Sequence, residues 1–208
     1  MSVSDPFTTT RWWWVRHAPI ESLHSGRING QLDVGIDLGD NARLGALARA
    51  LPTDAFWVAS ALSRTGKTAE AIGGRDVAVE AGFNEQHFGD WQGETWDAVS
   101  ERADAAAFWQ SPGTNAPPGG ESFADQIARV SAAVGRLSAA HAGRDIVAVV
   151  HAGTVRAALA QALGLDPDRA LAIEIATLSL TRIDHIAGTG RPRRVGAWRV
   201  GAVNRDMG

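Results

Sequence analysis

Short apolar runs alternate with amphipathic stretches along this chain, and that alternation predicts its fold class. The apolar runs lack the apolar–polar alternation of a half-exposed strand, which is typical of parallel strands covered on both faces. Between them, apolar residues recur at helical spacing. Strands that alternate with helices predict an α/β three-layer sandwich with a mostly parallel central sheet flanked by helices. The predicted buried strands are Trp12–Val15, Phe56–Ala59, Val77–Val79 and Ile146–Val150.

The other predicted elements are less regular. Ile173–Leu180 and Val195–Val200 alternate better, which predicts antiparallel or edge strands. A further helix is predicted over Trp96–Trp109. Proline and glycine in Ser111–Gly120 predict a loop that joins two helices. A helix follows Ser122, whose spacing to the acidic residue three positions later is typical of a capping box.

Length and composition bound the domain organisation. The chain has 208 residues, of which 45% are hydrophobic, so it can bury a core and we expect a single domain over residues 1–208. Residues 84–122 are expected to form a segment of helices and loops that acts as a lid. The net charge of −3 leaves no basic surplus for neutralising a nucleic-acid backbone. The absence of cysteine excludes disulfides, thiolate metal sites and cysteine nucleophiles.

Neither a membrane span nor a secretory signal is expected. The chain contains no apolar stretch of about 18 residues, the length that a spanning helix needs. Residues 1–10 lack a basic patch followed by an apolar region. We therefore expect a cytoplasmic protein that binds neither nucleic acid nor a membrane.

Residues suited to phosphate binding follow three of the predicted strands. Arg16 and His17 directly follow the predicted strand at 12–15, and Arg64 lies a few residues beyond the strand at 56–59. His151 directly follows the strand at 146–150. In open α/β sheets, ligands bind beyond the carboxyl ends of the strands. Guanidinium groups match phosphate oxygens, and all but one of the 20 basic residues are arginine. Each of these residues, taken alone, also fits a solvated loop or a surface helix end.

Glu85 adds a carboxyl group to this set. It lies in residues 83–93, where aromatic residues and glycines predict a packed, irregular segment rather than a plain surface loop. A carboxyl group held in such a segment can act as a general acid. A solvated loop glutamate is the simpler interpretation of the same pattern.

Six segments together resemble the histidine phosphatase superfamily, also called the phosphoglycerate mutase-like family. They occur in the family's order across most of the chain, and the joint match is specific. The segments are Arg16-His17 and residues 26–33, 61–72, 85–93, 118–123 and 150–156.

The resemblance implies a mechanism. By it, His17 is the nucleophile that becomes phosphorylated, while Arg16, Arg64 and His151 hold the phosphoryl oxygens. Glu85 protonates the leaving oxygen and later deprotonates the attacking water. No metal and no cofactor are implied, because the arginines supply the positive charge. The expected binding partner is a small phosphorylated metabolite. If the protein forms an oligomer, a homodimer is expected.

The resemblance also implies substrate contacts around this set. Arg27, Asn29 and Ala152 are expected to bind the substrate or its phosphate. Specificity is expected to depend on rim residues, namely Ile20, His24, Asn29, Trp91, Trp96 and the loop at 111–120.

Departures from the family's pattern favour a phosphatase over a mutase. Ala18 stands where the family usually has glycine, and the serine and asparagine that mutases typically carry shortly afterwards are missing from residues 19–23. The Arg-His-Ala-Pro start and the compact length resemble α-ribazole-5′-phosphate phosphatases of cobalamin biosynthesis, and broad-specificity phosphatases share the pattern. A phosphoglycerate mutase-type phosphotransferase is the alternative within the family.

Three alternatives lie outside this interpretation. Residues 66–68 (Gly-Lys-Thr) imitate the end of a nucleotide-binding P-loop, although Ala61 replaces the first glycine of that motif. A metallohydrolase would use His17, His151, Asp33 and Glu85, which lack a standard metal-ligand spacing. A non-catalytic phosphate-binding module is the third, and it would have no use for Glu85.

Overall fold

A computed structural model describes residues 7–188 and 197–208 of the chain. Its six strands form one sheet in the order β3-β2-β4-β1-β5-β6. The four strands β3, β2, β4 and β1 are parallel, and β5 and β6 pair antiparallel at one edge. The strands are β1 (Phe7–Arg16), β2 (Ala55–Ala59), β3 (Ala78–Val79), β4 (Asp145–Val150), β5 (Leu180–Gly188) and β6 (Ala197–Arg205).

Seven α-helices lie in the described ranges and cover both faces of the sheet. The capping box predicted at Ser122 is present, since its hydroxyl accepts from the Asp125 N–H and the Asp125 carboxylate accepts from the Ser122 N–H. The helices are α1 (Asn41–Ala50), α2 (Ser63–Ala71), α3 (Trp96–Ser100), α4 (Ala105–Gln110), α5 (Phe123–Ala140), α6 (Ala152–Leu163) and α7 (Pro167–Leu171).

Alternate residues of the central strands enter two separate cores. On β4, Ile146, Ala148 and Val150 pack with α5, α6 and α7 on one face of the sheet. Val147 and Val149 pack with α1 and α2 on the other face. The three-layer α/β sandwich with a mostly parallel central sheet is therefore confirmed. Within the described ranges, no helix is long and apolar enough to cross a membrane.

The register of the two central strands builds the site. Strands β1 and β4 are neighbours, and Arg16 pairs with Val150. The residues that follow, His17 and His151, therefore emerge side by side at the carboxyl edge of the sheet. The His17 N–H donates to the Val150 carbonyl at 2.9 Å, which extends the ladder by one residue.

The strand predicted over Ile173–Leu180 was wrong. Strand β5 begins only at Leu180, and the preceding residues are irregular. Two of their carbonyls, on Ile173 and Ile175, accept hydrogen bonds from arginine side chains and cannot serve a sheet ladder. Leu178 also has a left-handed backbone conformation, with φ at 56°. Of the strand predicted over Val195–Val200, residues 197–200 belong to β6 and the rest lie outside the described residues.

The single helix predicted over Trp96–Trp109 was also wrong, because the chain forms α3 and α4 with a turn between them. The turn is closed by an ion pair between Arg102 and Asp104 at 2.9 Å. The break lets Val99 of α3 and Phe108 of α4 pack on the same small cluster, which also holds Trp91. The loop at 111–120 joins α4 to α5, as predicted.

Residues 84–122 thus form a small apolar cluster with Ile28, outside the two cores of the sheet. Phe88, Trp96 and Trp109 of this segment line the cavity at the carboxyl edge of the sheet. That it moves as a lid stays a prediction.

Candidate functional site

A large cavity opens at the carboxyl edge of the sheet. Its volume is about 700 Å³, within the usual range for small-molecule sites. Arg16, His17, Arg64 and Glu85 line it, and His151 lies behind them, fully buried. The structure therefore brings together the five residues that the sequence placed at separate strand ends and in the 83–93 segment.

His17 is held with one ring nitrogen available for reaction. Its Nδ1 lies 2.7 Å from the Ala18 carbonyl oxygen and donates to it, which leaves the lone pair on Nε2. Burial lowers the pKa of His17 to about 3, and the nearby Arg64 guanidinium acts in the same direction. The imidazole is therefore neutral at physiological pH, as a nucleophile must be.

His151 is oriented by Arg64 on one side and a serine on the other. Arg64 Nε donates to His151 Nδ1 at 3.3 Å, so the ring hydrogen resides on Nε2 and is donated to Ser60 Oγ at 2.8 Å. Burial holds the pKa of His151 well below its ordinary value, with His17 and Arg64 adding to the effect. In this form Nδ1 carries a lone pair, and His151 can donate to a phosphoryl oxygen only after it takes up a proton.

Main-chain carbonyls, rather than carboxylates, hold the side chains of Arg16 and Arg64. Arg64 Nη1 and Nη2 donate to the carbonyls of Leu32 and Gly30 at 2.7 and 2.6 Å. Arg16 Nη1 donates to the Ile175 carbonyl at 2.6 Å, while its buried Nε has no partner among the described residues. Burial lowers the pKa of both side chains, and an arginine nonetheless stays cationic. Their charge is therefore available to an anion.

Three donors fix the carboxylate of Glu85. Its Oε1 accepts from the Gln86 N–H at 3.0 Å and from Gln126 Nε2 at 3.1 Å, and its Oε2 accepts from the Gly153 N–H at 3.4 Å. Gly153 is required here because a Cβ at this position would overlap Glu85 Oε1 and lie 2.8 Å from Gln126 Oε1. Arg129 supports the segment by donating to the Glu85 carbonyl at 3.0 Å. The carboxyl group thus lies over the first turn of α6, beside His151.

The other predicted contact residues differ in how they reach the site. Arg27 and Asn29 line the cavity, and the buried Oδ1 of Asn29 has no partner among the described residues. The Ala152 side chain packs in a sheet core instead, so only its backbone N–H at the start of α6 could serve a phosphoryl group.

The structure places only some of the predicted rim residues at the cavity. Ile20, Trp96 and, from the 111–120 loop, Pro112 line it, whereas His24 does not and Trp91 is fully buried in the small apolar cluster. Trp109 takes the place expected for Trp91, with 48% of its surface exposed.

Sequence reasoning missed three residues of the site. Gln126 and Ser60 hold Glu85 and His151, and both look like ordinary polar residues in the sequence. Arg156 also lines the cavity, although the sequence analysis gave it no role and it was only the last residue of the segment 150–156. Its position one turn beyond Gly153, on the helix that begins at the site, could have identified it.

Two of the competing interpretations of the sequence, the nucleotide-binding P-loop and the metallohydrolase, find no support in the described residues. The Gly-Lys-Thr triplet at 66–68 lies inside α2 and does not form a phosphate-binding loop. Thr68 Oγ1 instead accepts from the Ala18 N–H at 3.0 Å and so fixes the turn after β1. Among residues 7–188 and 197–208, no three histidine, aspartate or glutamate side chains are grouped to hold a metal ion.

We expect phosphate binding to be coupled to proton uptake by His151. In the free protein, His17 and His151 should keep the ring ¹⁵N shifts of neutral imidazole from about pH 8 to about pH 5, because burial lowers both pKa values. Vanadate should shift the His151 signals to those of imidazolium, since a bound anion favours the charged ring.

The unfolded state should bind more protons than the folded state between about pH 6.5 and pH 3, so the free energy of unfolding should fall as the pH falls through this window. His151→Gln serves as the control and should remove the proton uptake that calorimetry in two buffers detects on vanadate binding. A midpoint near 6.5 for both rings in the free protein would contradict this account.

Comparison with known proteins gives the family. A model of the histidine phosphatase superfamily (branch 1) matches residues 12–197. The glucosyl-3-phosphoglycerate phosphatase of Mycolicibacterium vanbaalenii is 36% identical over 169 residues, which cover 74% of each chain. The metal-independent phosphoserine phosphatase of Arabidopsis thaliana is 32% identical over 154 residues, covering 69% of this chain and 64% of that protein.

Solved structures agree with this assignment. A mycobacterial glucosyl-3-phosphoglycerate phosphatase in complex with VO3 superposes with a TM-score of 0.77 at 29% identity, covering 94% of this chain and 98% of the other. The α-ribazole phosphatase from Shigella flexneri superposes with a TM-score of 0.78, covering 94% and 96%, but at 20% identity it shows the fold alone. The chain belongs to the histidine phosphatase superfamily, branch 1, and is a phosphomonoester hydrolase.

Proposed function

We propose that this phosphatase works without a metal ion, through a covalent phosphohistidine at His17. The observation that carries the proposal is the unprotonated Nε2 of a neutral His17, which lines the same cavity as two arginines that form no ion pair with a carboxylate of the described residues. A phosphomonoester is close to a dianion at neutral pH, and Arg16 and Arg64 supply the compensating charge. The same two groups stabilise the equatorial oxygens during transfer.

The reaction proceeds in two transfers. In the first, the Nε2 lone pair of His17 forms a bond to phosphorus while the bond from phosphorus to the leaving oxygen breaks, and Glu85, which must enter this step in its protonated form, gives its proton to that oxygen. In the second, Glu85 takes a proton from water, the water oxygen bonds to phosphorus, and the N–P bond returns its electrons to His17. Inorganic phosphate then leaves, and no redox or metal chemistry is needed.

The proposed substrate is a phosphorylated hydroxy acid that carries a sugar, with glucosyl-3-phosphoglycerate as the first compound to test. Two relatives with 36% and 34% identity bear the name of that phosphatase. The cavity wall fits a ring, because Phe88, Trp96 and Trp109 line it and the two indoles are 40% and 48% exposed. A benzimidazole would fit the same wall, which keeps α-ribazole-5′-phosphate as the second candidate.

A substrate panel decides between these candidates. The value of kcat/KM should be at least about tenfold higher for glucosyl-3-phosphoglycerate than for α-ribazole-5′-phosphate, which lacks a carboxylate. With 3-phosphoglycerate, inorganic phosphate should form faster than 2-phosphoglycerate. A higher kcat/KM for α-ribazole-5′-phosphate than for glucosyl-3-phosphoglycerate would assign the protein to the α-ribazole phosphatases. Faster formation of 2-phosphoglycerate than of inorganic phosphate would make it a mutase.

The phosphoenzyme tests the proposed mechanism directly. Labelled phosphoenzyme quenched without acid should be present in wild type, absent from His17→Ala and present in His141→Ala, a histidine that follows the end of α5 and does not line the cavity. Vanadate should inhibit as a mimic of the pentacoordinate phosphoryl group, and chelators should leave the rate unchanged. Label on His151, or activity that requires an added divalent ion, would sink the proposal.

Glu85→Gln should slow cleavage according to the leaving group. An alkyl phosphate expels a strongly basic alkoxide, so loss of the acid should slow phosphoenzyme formation by ~10²–10⁴-fold. A nitrophenyl phosphate expels a stable phenolate and should lose much less in the same step.

Single-turnover kinetics are needed for this comparison, because Glu85 also assists water in the second transfer. Glu70→Gln, an exposed carboxyl on α2, is the matched control and should change neither rate. If Glu85→Gln slows both esters equally, Glu85 is not the acid, and Asp33, His87 and Asp90 are the next residues to test.

A further inference from the structure

Arg156 is a third guanidinium in the cavity, and the mechanism above does not use it. It lies on α6 and lines the same cavity as Arg16 and Arg64. Its Nε donates to the Ile173 carbonyl at 2.7 Å, and this is its one hydrogen bond to the described residues. No carboxylate among residues 7–188 and 197–208 forms an ion pair with it, so both terminal nitrogens are available as donors.

A partly buried cation without a counter-ion is unfavourable unless a ligand compensates it. Desolvation lowers the pKa of Arg156, and the only cause acting in the other direction is the charge of Glu85. Glu85 is the one acidic residue that lines the cavity, and it is hydrogen-bonded to Gln126 and Gly153 instead. The protein therefore leaves the charge of Arg156 for something that enters the cavity.

Arg156 lies at the edge of the phosphoryl site, near enough for its charge to contribute to lowering the pKa of Arg16. It lies three residues beyond Gly153 on α6, which is about 4.5 Å further along the helix axis. The phosphoryl group is served by Arg16, Arg64 and the start of the helix. Leu171, Phe123 and Pro112 line the same cavity and offer no charge to an anion. A group that meets Arg156 thus belongs to the leaving part of the substrate.

We propose that Arg156 binds a carboxylate of the substrate, distinct from the phosphoryl group. Two terminal nitrogens on one planar guanidinium match the two oxygens of a carboxylate, and the single charges balance. The substrate class is then a phosphorylated hydroxy acid, and Arg156 is a residue that determines specificity. This inference rests on the proposed function, because it needs a phosphomonoester bound at His17.

Two esters that differ only in the carboxylate test the inference. D-3-Phosphoglycerate carries a carboxylate where sn-glycerol 1-phosphate, which has the same arrangement at C2, carries a hydroxymethyl group. In wild type, kcat/KM should be about 10- to 100-fold higher for phosphoglycerate, as expected for a charge-assisted hydrogen-bonded pair. In Arg156→Gln that ratio should fall to near one, mainly through KM for phosphoglycerate, and Arg156→Lys should recover part of it.

The ratio distinguishes recognition from a structural role. If Arg156 only anchors residues 173–175, its loss disturbs Arg16 and slows both esters alike, so an unchanged ratio in Arg156→Gln would overturn the inference. Arg49→Gln removes one exposed positive charge from α1 and should keep the wild-type ratio. A ratio near one in wild type, with phosphohistidine still formed at His17, would overturn this inference alone. No phosphoenzyme from either ester would overturn the proposed function as well.

Discussion

Burying guanidinium groups without carboxylate partners is the constraint on which this structure depends. Arg16 and Arg64 must lose water to line the cavity, and their N–H groups then need acceptors that do not cancel the charge. Main-chain carbonyls are such acceptors, but carbonyls within strands and helices are already used. The segments that provide them, at Gly30 to Leu32 and at Ile175, are accordingly irregular. The loops beside the sheet are thus part of the phosphate site.

The acid side of the site is built separately from the cation side. The cations and histidines belong to strand ends and helix starts of the sandwich, whereas Glu85 belongs to the segment that carries the small apolar cluster. The two ends of that segment pack closely against each other, since a Cβ at Gly89 would overlap the Pro118 carbonyl. Contact between the two parts includes Gln126 and Gly153, which donate to the Glu85 carboxylate, and Gln31, whose side chain donates to the Glu85 carbonyl. Because the neighbouring Gly30 carbonyl accepts from Arg64, the position of the acid is tied to the loop that holds this arginine.

Local patterns predicted the parts of the molecule that local forces decide. The sequence predicted the buried strands, the capping box at Ser122 and the reactive residues after the strands, because continuous apolar runs and caps act over a few residues. Residues 173–179 alternate like a strand, yet their carbonyls bind Arg16 and Arg156, and this demand comes from distant parts of the chain. Gln126 could not be recognised for a similar reason. Nothing in a helical glutamine indicates which carboxylate it will meet, and the roles of the site residues themselves remain predictions.

The pairing of β1 with β4 has a consequence for how the molecule is made. His17 lies near the start of the chain and His151 in its last third, so most of the chain lies between the two strands that pair. Such a long-range pairing carries a large loop-closure entropy, which is typical of slow folding. During synthesis, the ribosome must release β4 and the start of α6 before a phosphate cradle exists. A nascent or truncated chain therefore gains nothing from phosphate, whereas the finished fold is stabilised by every anion it binds.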